Sequence, residues 1–224
     1  MINIWQWPDG LVWRITDKPT MRARKKKFDV FMSAIKPLPG ESILDVGVSP
    51  SFGRATNYLE HWYPYPEKVV AFTNEEKEAF AEFKKRFPKT ELVFGDGRNL
   101  PFEDNSFDII FSNAVVEHVG DNKAQKRFIS ELLRVGKRVF VATPNRLFPV
   151  ESHTLIPLLH YLPIKPRSWL YTKLGREYYS SLDNLNLLSP NAFRRLFPKG
   201  IQVKLLKLRV LGLANNLVAI AKKQ

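Results

Sequence analysis

The feature that most constrains the fold is residues 42–48, SILDVGV, a short apolar run rich in branched side chains that ends in an acid and a glycine. A Ser/Pro/Gly stretch separates it from RATNYLEHW, which reads as the start of a helix, so the unit is strand, loop, helix. The unit recurs. KVVAFT (68–73) is followed by NEEKEAFAEFKKRF (74–87), where Ala79, Phe80, Phe83 and Phe87 return at helical spacing and Pro88 closes the helix. Next come ELVFG (91–95), FDIIFSN (107–113), a helix around AQKRFISELLRV (124–135) and RVFVAT (138–143). Strands alternating with helices predict an α/β chain whose mostly parallel sheet is covered on both faces.

From Pro144 to about Leu188 the alternation stops, and prolines, aromatics and basic residues predict a lid-like insertion between sheet elements. Ser189 and Pro190 then supply a helix cap and first position for NAFRRLF, and Gly200 ends that helix. IQVKLLKLRVL and NNLVAIAKK, joined near Gly212, predict an antiparallel closing pair. RARKKKFDVFMSAI predicts an amphipathic helix packed across the sheet with its basic run in solvent. The 224 residues suit one domain: an N-terminal arm (1–40), a core (41–143), the insertion (144–188) and a closing segment (189–224).

In LDVGVSPSFG the strand ends at Asp45, Gly47 allows close backbone approach and Gly53 opens the next helix, so a ligand is expected outside the carboxyl end of that strand. A loose glycine pattern also occurs in dinucleotide sites and plain turns. Order along the chain sharpens it, because Asp96 and Gly97 follow the third strand and the fourth ends at Ser112 and Asn113. Together, ILDVG, GDGRNLPFEDNSFDIIFSNAVVEHV and ELLRVGKRVFVATPNR resemble the class I S-adenosylmethionine-dependent methyltransferases, particularly the type 11 group, over residues 40–146.

That resemblance implies a Rossmann-like, doubly wound, mostly parallel seven-stranded sheet with an antiparallel C-terminal strand pair, and S-adenosylmethionine as cofactor. It implies that Asp45 and Gly47 shape a loop against the methionine part. Asp96 would accept from the adenine amino group, Gly97 would complete adenine recognition, and Asn113 would stand near the sulfonium. Two positions depart from the family pattern. Ser49 stands where the family has its second glycine, which predicts a stiffer loop. Thr73 or Asn74 stands where the family has an acid holding the ribose, with Glu75 in reach after a two-residue shift. Neutral partners bind a hydroxyl less strongly than a carboxylate does.

For the methyl acceptor, Glu151, His153 and His160 are the titratable residues of the segment after the fifth strand. Histidine is the natural base near neutral pH, which makes His153 the expected general base with Glu151 orienting it. His118, Arg146 and His160 are the expected acceptor-binding residues. Glu151, His153 and His160 also have the chemistry of metal ligands, but Pro157 interrupts their spacing, and no metal site is predicted. With no cysteine, thiolate chemistry is excluded. The net charge of +13 is uneven: +5 over residues 1–36, −2 over 37–145 and +10 over 146–224. A slightly acidic centre suits a cationic cofactor, and basic flanks suit an anionic partner or membrane surface.

The expected acceptor is therefore an oxygen or nitrogen of a small molecule, a saccharide or a lipid-linked compound. RNA methylation and a noncatalytic cofactor-binding scaffold are the alternatives. Trp5, Trp7 and Trp13 are candidates for covering the acceptor pocket. Without a secretory signal pattern or a spanning run, the sequence predicts a cytoplasmic protein, with peripheral membrane contact through the aromatic and basic insertion.

Overall fold

The computed structural model describes residues 11–50 and 56–223, with side chains from residue 19 onward. In chain order the elements are α1 (Leu11–Ile35), β1 (Ile43–Val46), α2 (Tyr58–Trp62), β2 (Val69–Thr73), α3 (Ala81–Arg86), β3 (Glu91–Phe94) and β4 (Phe107–Asn113). They continue as α4 (Asn122–Val135), β5 (Gly136–Pro144), α5 (Ile164–Lys173), α6 (Pro190–Arg194), β6 (Gln202–Val210) and β7 (Leu213–Lys222). One seven-stranded sheet runs β3-β2-β1-β4-β5-β7-β6. The pairs from β3 to β5 are parallel, whereas β7 runs antiparallel to both β5 and β6. This is the Rossmann-like α/β sheet with the closing pair that the sequence predicts.

The central strands are apolar on both sides because helices cover both faces. On β4, Ile109 and Phe111 face the layer of α1 and α2, while Ile110 faces α4. Phe31 of α1 is fully buried, its ring 5.0 Å from that of Phe111 and 5.4 Å from that of Phe140, and those two rings stack at 5.3 Å. On the other face α4 begins at Asp121, whose side chain accepts from the Ala124 amide, and buries Phe128, Ile129, Leu132 and Leu133.

Three sequence expectations change in detail. The helix expected over 74–87 is a tight turn at Lys77–Phe80 followed by the short α3, because the chain after β2 is drawn into a turn in which the Glu75 amide donates to Thr73 Oγ1. The arm helix starts well before Arg22, at Leu11. Its basic run does not lie wholly in solvent: Lys25 and Lys26 are exposed, but Lys27 is buried, and its Nζ donates to Asn113 Oδ1 at 2.6 Å. Burial, with Arg24 adding and Glu117 opposing, pushes the Lys27 ammonium down to about 8.

The insertion leaves and returns at one point, where Asn145 bridges Leu188 and the Arg146 amide donates to the Leu188 carbonyl. It is thereby held at the carboxyl end of β5. Trp5 and Trp7 lie outside the described residues, as does the side chain of Trp13. Among the described residues no helix is long and apolar enough to cross a membrane.

Because the fully buried Phe31 packs edge-on against both stacked rings, Phe31→Ala is expected to lower the unfolding free energy by about 3–5 kcal/mol. Urea denaturation checks this, and a loss under about 1 kcal/mol would contradict the packing described.

Candidate active site

Strand order reverses between β1 and β4, and a cavity of about 770 Å³ opens at their carboxyl ends. Its floor is the loop after β1. The amides of Gly47 and Val48 both donate to the Phe72 carbonyl, which turns the loop across the end of β2. Gly47 has φ +103°, and a Cβ there would fall 2.1 Å from Val115 Cγ2, so only glycine fits between the ends of β1 and β4. Ser49 is pinned by Asn57, whose amide oxygen accepts from the Ser49 amide and whose Nδ2 donates to the Ser49 carbonyl. These two bonds fix the backbone of Ser49 to the start of α2. Gly53 lies outside the described residues.

Thr73, Asn74 and Glu75 line the wall after β2. The Thr73 hydroxyl is turned back to the Glu75 amide, which leaves Asn74 and Glu75, both exposed, to face a ligand. Asp96 and Gly97 line the wall after β3. The Asp96 carboxylate is half exposed and already accepts from Arg98 on both oxygens, at 2.9 to 3.1 Å, and from the Arg98 amide at 2.8 Å. Those hydrogen bonds hold its carboxyl below the usual range, so it is an anion with Arg98 as its resident partner. Gly97 sits against Phe128, whose ring would be 2.8 Å from a Cβ.

Two residues implied for the cofactor do not line the cavity. Asp45 is buried behind the loop beside Glu60, and burial pushes both carboxyls up, Glu60 to about 7. Two adjacent buried carboxyls cannot both ionise cheaply, so the pair retains a proton near neutrality. Asp45 thus supports the loop from within the fold. Asn113 points to the α1 face, the parity of Phe111, and is held by Lys27; Ala114, at φ +58°, and Val115 line the cavity there instead.

At the far end of the cavity two histidines meet. His118 and His153 approach through their Nε2 atoms at 3.0 Å. His118 Nδ1 is 2.6 Å from the Asn184 carbonyl, and His153 Nδ1 is 2.6 Å from Glu151 Oε1. Glu151 is buried, and its oxygens also accept from the amides of His153 and Thr154. Burial alone would raise its pKa, but these bonds outweigh it and hold the carboxyl at about 2. The expected His153–Glu151 pair is therefore present.

His160 and Arg146 are not part of this site. His160 is buried, with its Nε2 2.9 Å from the Arg146 carbonyl, so it fastens the insertion internally, and burial lowers its pKa. The Arg146 side chain is exposed away from the cavity. Sequence reasoning passed over Glu117, which is fully buried, accepts from Thr143 Oγ1 through Oε2 and places Oε1 3.9 Å and 4.0 Å from the two Nε2 atoms. An acid inside the apolar VVEHV was the available signal. Tyr178, Tyr179 and Asp183 of the insertion also line the cavity and gave no such signal.

A family profile described as a methyltransferase domain matches residues 44–139, which run from β1 into β5. Over that stretch, a little under half of its length, the chain is similar to S-adenosylmethionine-dependent methyltransferases. It is 29% identical over 111 residues to the O-methyltransferase cnsE of Penicillium expansum, and 28% identical over 111 residues to a Mycolicibacterium smegmatis protein described as a probable S-adenosylmethionine-dependent methyltransferase. Each match covers 48% of this chain and 40% of the relative. In fold it is similar to a Pyrococcus horikoshii protein, with TM-score 0.60, 16% identity and 91% of both chains covered. It is also similar to the magnesium protoporphyrin IX methyltransferase of Synechocystis, solved with bound SAH, at TM-score 0.59 and 13% identity, covering 99% of this chain and 91% of that one.

The methyltransferase domain's cavity suits a cationic, adenosine-bearing cofactor in this chain's own residues. Gly47 and Gly97 leave backbone bare at two walls, and Glu75, Asp96 and Asp183 bring three acids to the lining against one arginine, Arg98.

The Asp45–Glu60 pair generates a stability prediction. Both folded pKa values lie above the unfolded ones, so the folded state holds extra protons and loses stability as pH rises from the ordinary carboxylate range to about 7. Glu60→Gln removes one titrating partner. Its melting temperature is expected to gain roughly 2–4 °C on wild type between about pH 5 and about pH 8. Parallel curves for the two proteins would contradict a shared proton.

Proposed function

We propose that this chain transfers a methyl group from S-adenosylmethionine to an oxygen or nitrogen acceptor. The observation that carries the reading is the polarity of one cavity: cofactor-type walls after β1, β2 and β3 at one end, and the paired His118 and His153 at the other. S-adenosylmethionine supplies an electrophilic methyl group on a sulfonium. On this reading Asn74 and Glu75 hold the ribose hydroxyls, Asp96 keeps an acceptor site for the adenine amino group beside Arg98, and the Gly47 loop backs the methionine part. His153, fixed by Glu151, presents Nε2 to the acceptor's proton-bearing atom, and Tyr178 and Tyr179 wall the acceptor end.

Among the acceptors the sequence suggests, an apolar or lipid-linked one is favoured by the insertion's surface, where Leu158, Tyr161, Leu162, Ile164, Trp169 and Tyr178 are exposed. RNA is a second reading, favoured by the +13 net charge. Its phosphates would have to contact the basic flanks, since the cavity brings three acids, Glu75, Asp96 and Asp183, against the single Arg98.

Calorimetric titration with S-adenosylhomocysteine tests the cofactor site. Wild type is expected to bind one equivalent, and Asp96→Ala to bind about 10–100-fold more weakly, the worth of a hydrogen bond to a charged group. A folded wild-type protein that does not bind would leave the noncatalytic scaffold reading in its place.

A further inference from the structure

The two histidines at the acceptor end present a hydrogen-bonding conflict. The Asn184 carbonyl can only accept, so His118 carries its proton on Nδ1; the ionised Glu151 likewise fixes the proton of His153 on Nδ1. In neutral rings both Nε2 atoms are then bare lone pairs, yet they face each other at 3.0 Å. Glu117 Oε1 faces the same point and has no hydrogen-bond partner among the described residues, although the residue is wholly buried. A proton on one ring satisfies only the pair of Nε2 atoms, whereas a single cation satisfies all three lone-pair donors at once.

We propose that Glu117, His118 and His153 hold a divalent transition-metal ion whose open coordination position faces the cavity and takes the methyl acceptor as an oxygen donor. Two imidazoles and one carboxylate are a donor set for Zn²⁺, Co²⁺, Mn²⁺ or Fe²⁺, and three protein ligands leave a position for substrate. Ligand distances of about 2.0–2.1 Å at near-tetrahedral angles need donor atoms about 3.3 Å apart. The observed triangle of 3.0, 3.9 and 4.0 Å brackets that figure, so closure asks only for shifts of a few tenths of an ångström.

The surroundings are those of a metal centre. Glu151 and the Asn184 carbonyl each fix one histidine through Nδ1, and Thr143 Oγ1 fixes Glu117 through Oε2, leaving Oε1 for the ion. His118 and His153 line the cavity, so the open position is on its side. Such an ion lowers the proton affinity of a coordinated hydroxyl, whose proton passes to solvent. The inference rests on the proposed acceptor site, and it moves activation from a free His153 imidazole to the bound ion.

The test is titration of the EDTA-treated, desalted full chain with Co²⁺, followed by visible absorption and calorimetry. Wild type is expected to take up one equivalent with the absorption of a four- or five-coordinate ion, displaceable by Zn²⁺. His118→Gln and His153→Gln should each weaken uptake at least tenfold. Glu151→Gln, which touches the ion only through His153, should weaken it by about 10–100-fold. His61→Gln, packed on Phe87 outside the cluster, should change nothing. Absence of Co²⁺ uptake by wild type would overturn the proposal, and so would uptake undiminished in both His118→Gln and His153→Gln. S-adenosylhomocysteine binding measured in EDTA reports separately on the cofactor site and on whether each variant is folded.

Discussion

The parallel pairing of β1 with β4 sets the position of everything that follows. The chain leaves β1 toward β2 and β3 on one side, and leaves β4 toward β5 on the other, so the loops after the two strands diverge and a crevice remains between them. Gly47 and Val115 close its base at a separation that admits no side chain on residue 47. Apart from Phe128 of α4, the cavity-lining groups reach their places from the carboxyl ends of these strands or from the insertion after β5. The apolar packing of Phe31 against Phe111 and Phe140 keeps the strands in register and thereby keeps the loops at their spacing.

Around this apolar frame the buried polar groups fall into two sets. Asp45 and Glu60, with Lys27 and Asn113, lie on the α1 and α2 side and support the loop and strand ends from behind. Glu117, Glu151, His118 and His153 gather at the cavity's far end, each with one atom fixed by a neighbour and, apart from Glu151, one atom turned toward the common point. Burying so many titratable groups is costly unless they are paired. Their concentration at one strand edge is the pattern of a site that does chemistry.

Much of this was legible in the sequence for identifiable reasons. The strands at Ile43–Val46, Val69–Thr73, Phe107–Asn113 and Gly136–Pro144 announce themselves as apolar runs because both sheet faces are covered. Gly47, Ser49, Thr73, Asn74, Asp96 and Gly97 lie at or just beyond the ends of such runs, and that order together with the family resemblance was enough to place them at the cavity. The misplacements involve contacts across long sequence separations. Lys27 sits in a basic run that reads as solvent-facing, and its partner Asn113 lies on another element. His160 and His153 are equivalent by residue type and segment, but only the fold turns one into the interior of the insertion and the other toward His118. Glu117 was legible as an acid in an apolar run, but its convergence with His153 depends on how the insertion folds back over β5.

The central claim is that one cavity holds the cofactor at the β1–β3 edge and directs its reactive end to the histidine pair. A crystal structure of the S-adenosylhomocysteine complex tests this most directly. The account predicts adenine beside Asp96 and Gly97, ribose at Asn74 and Glu75, and the sulfur turned toward His118 and His153. Density elsewhere, or a sulfur turned away from the histidines, would contradict it.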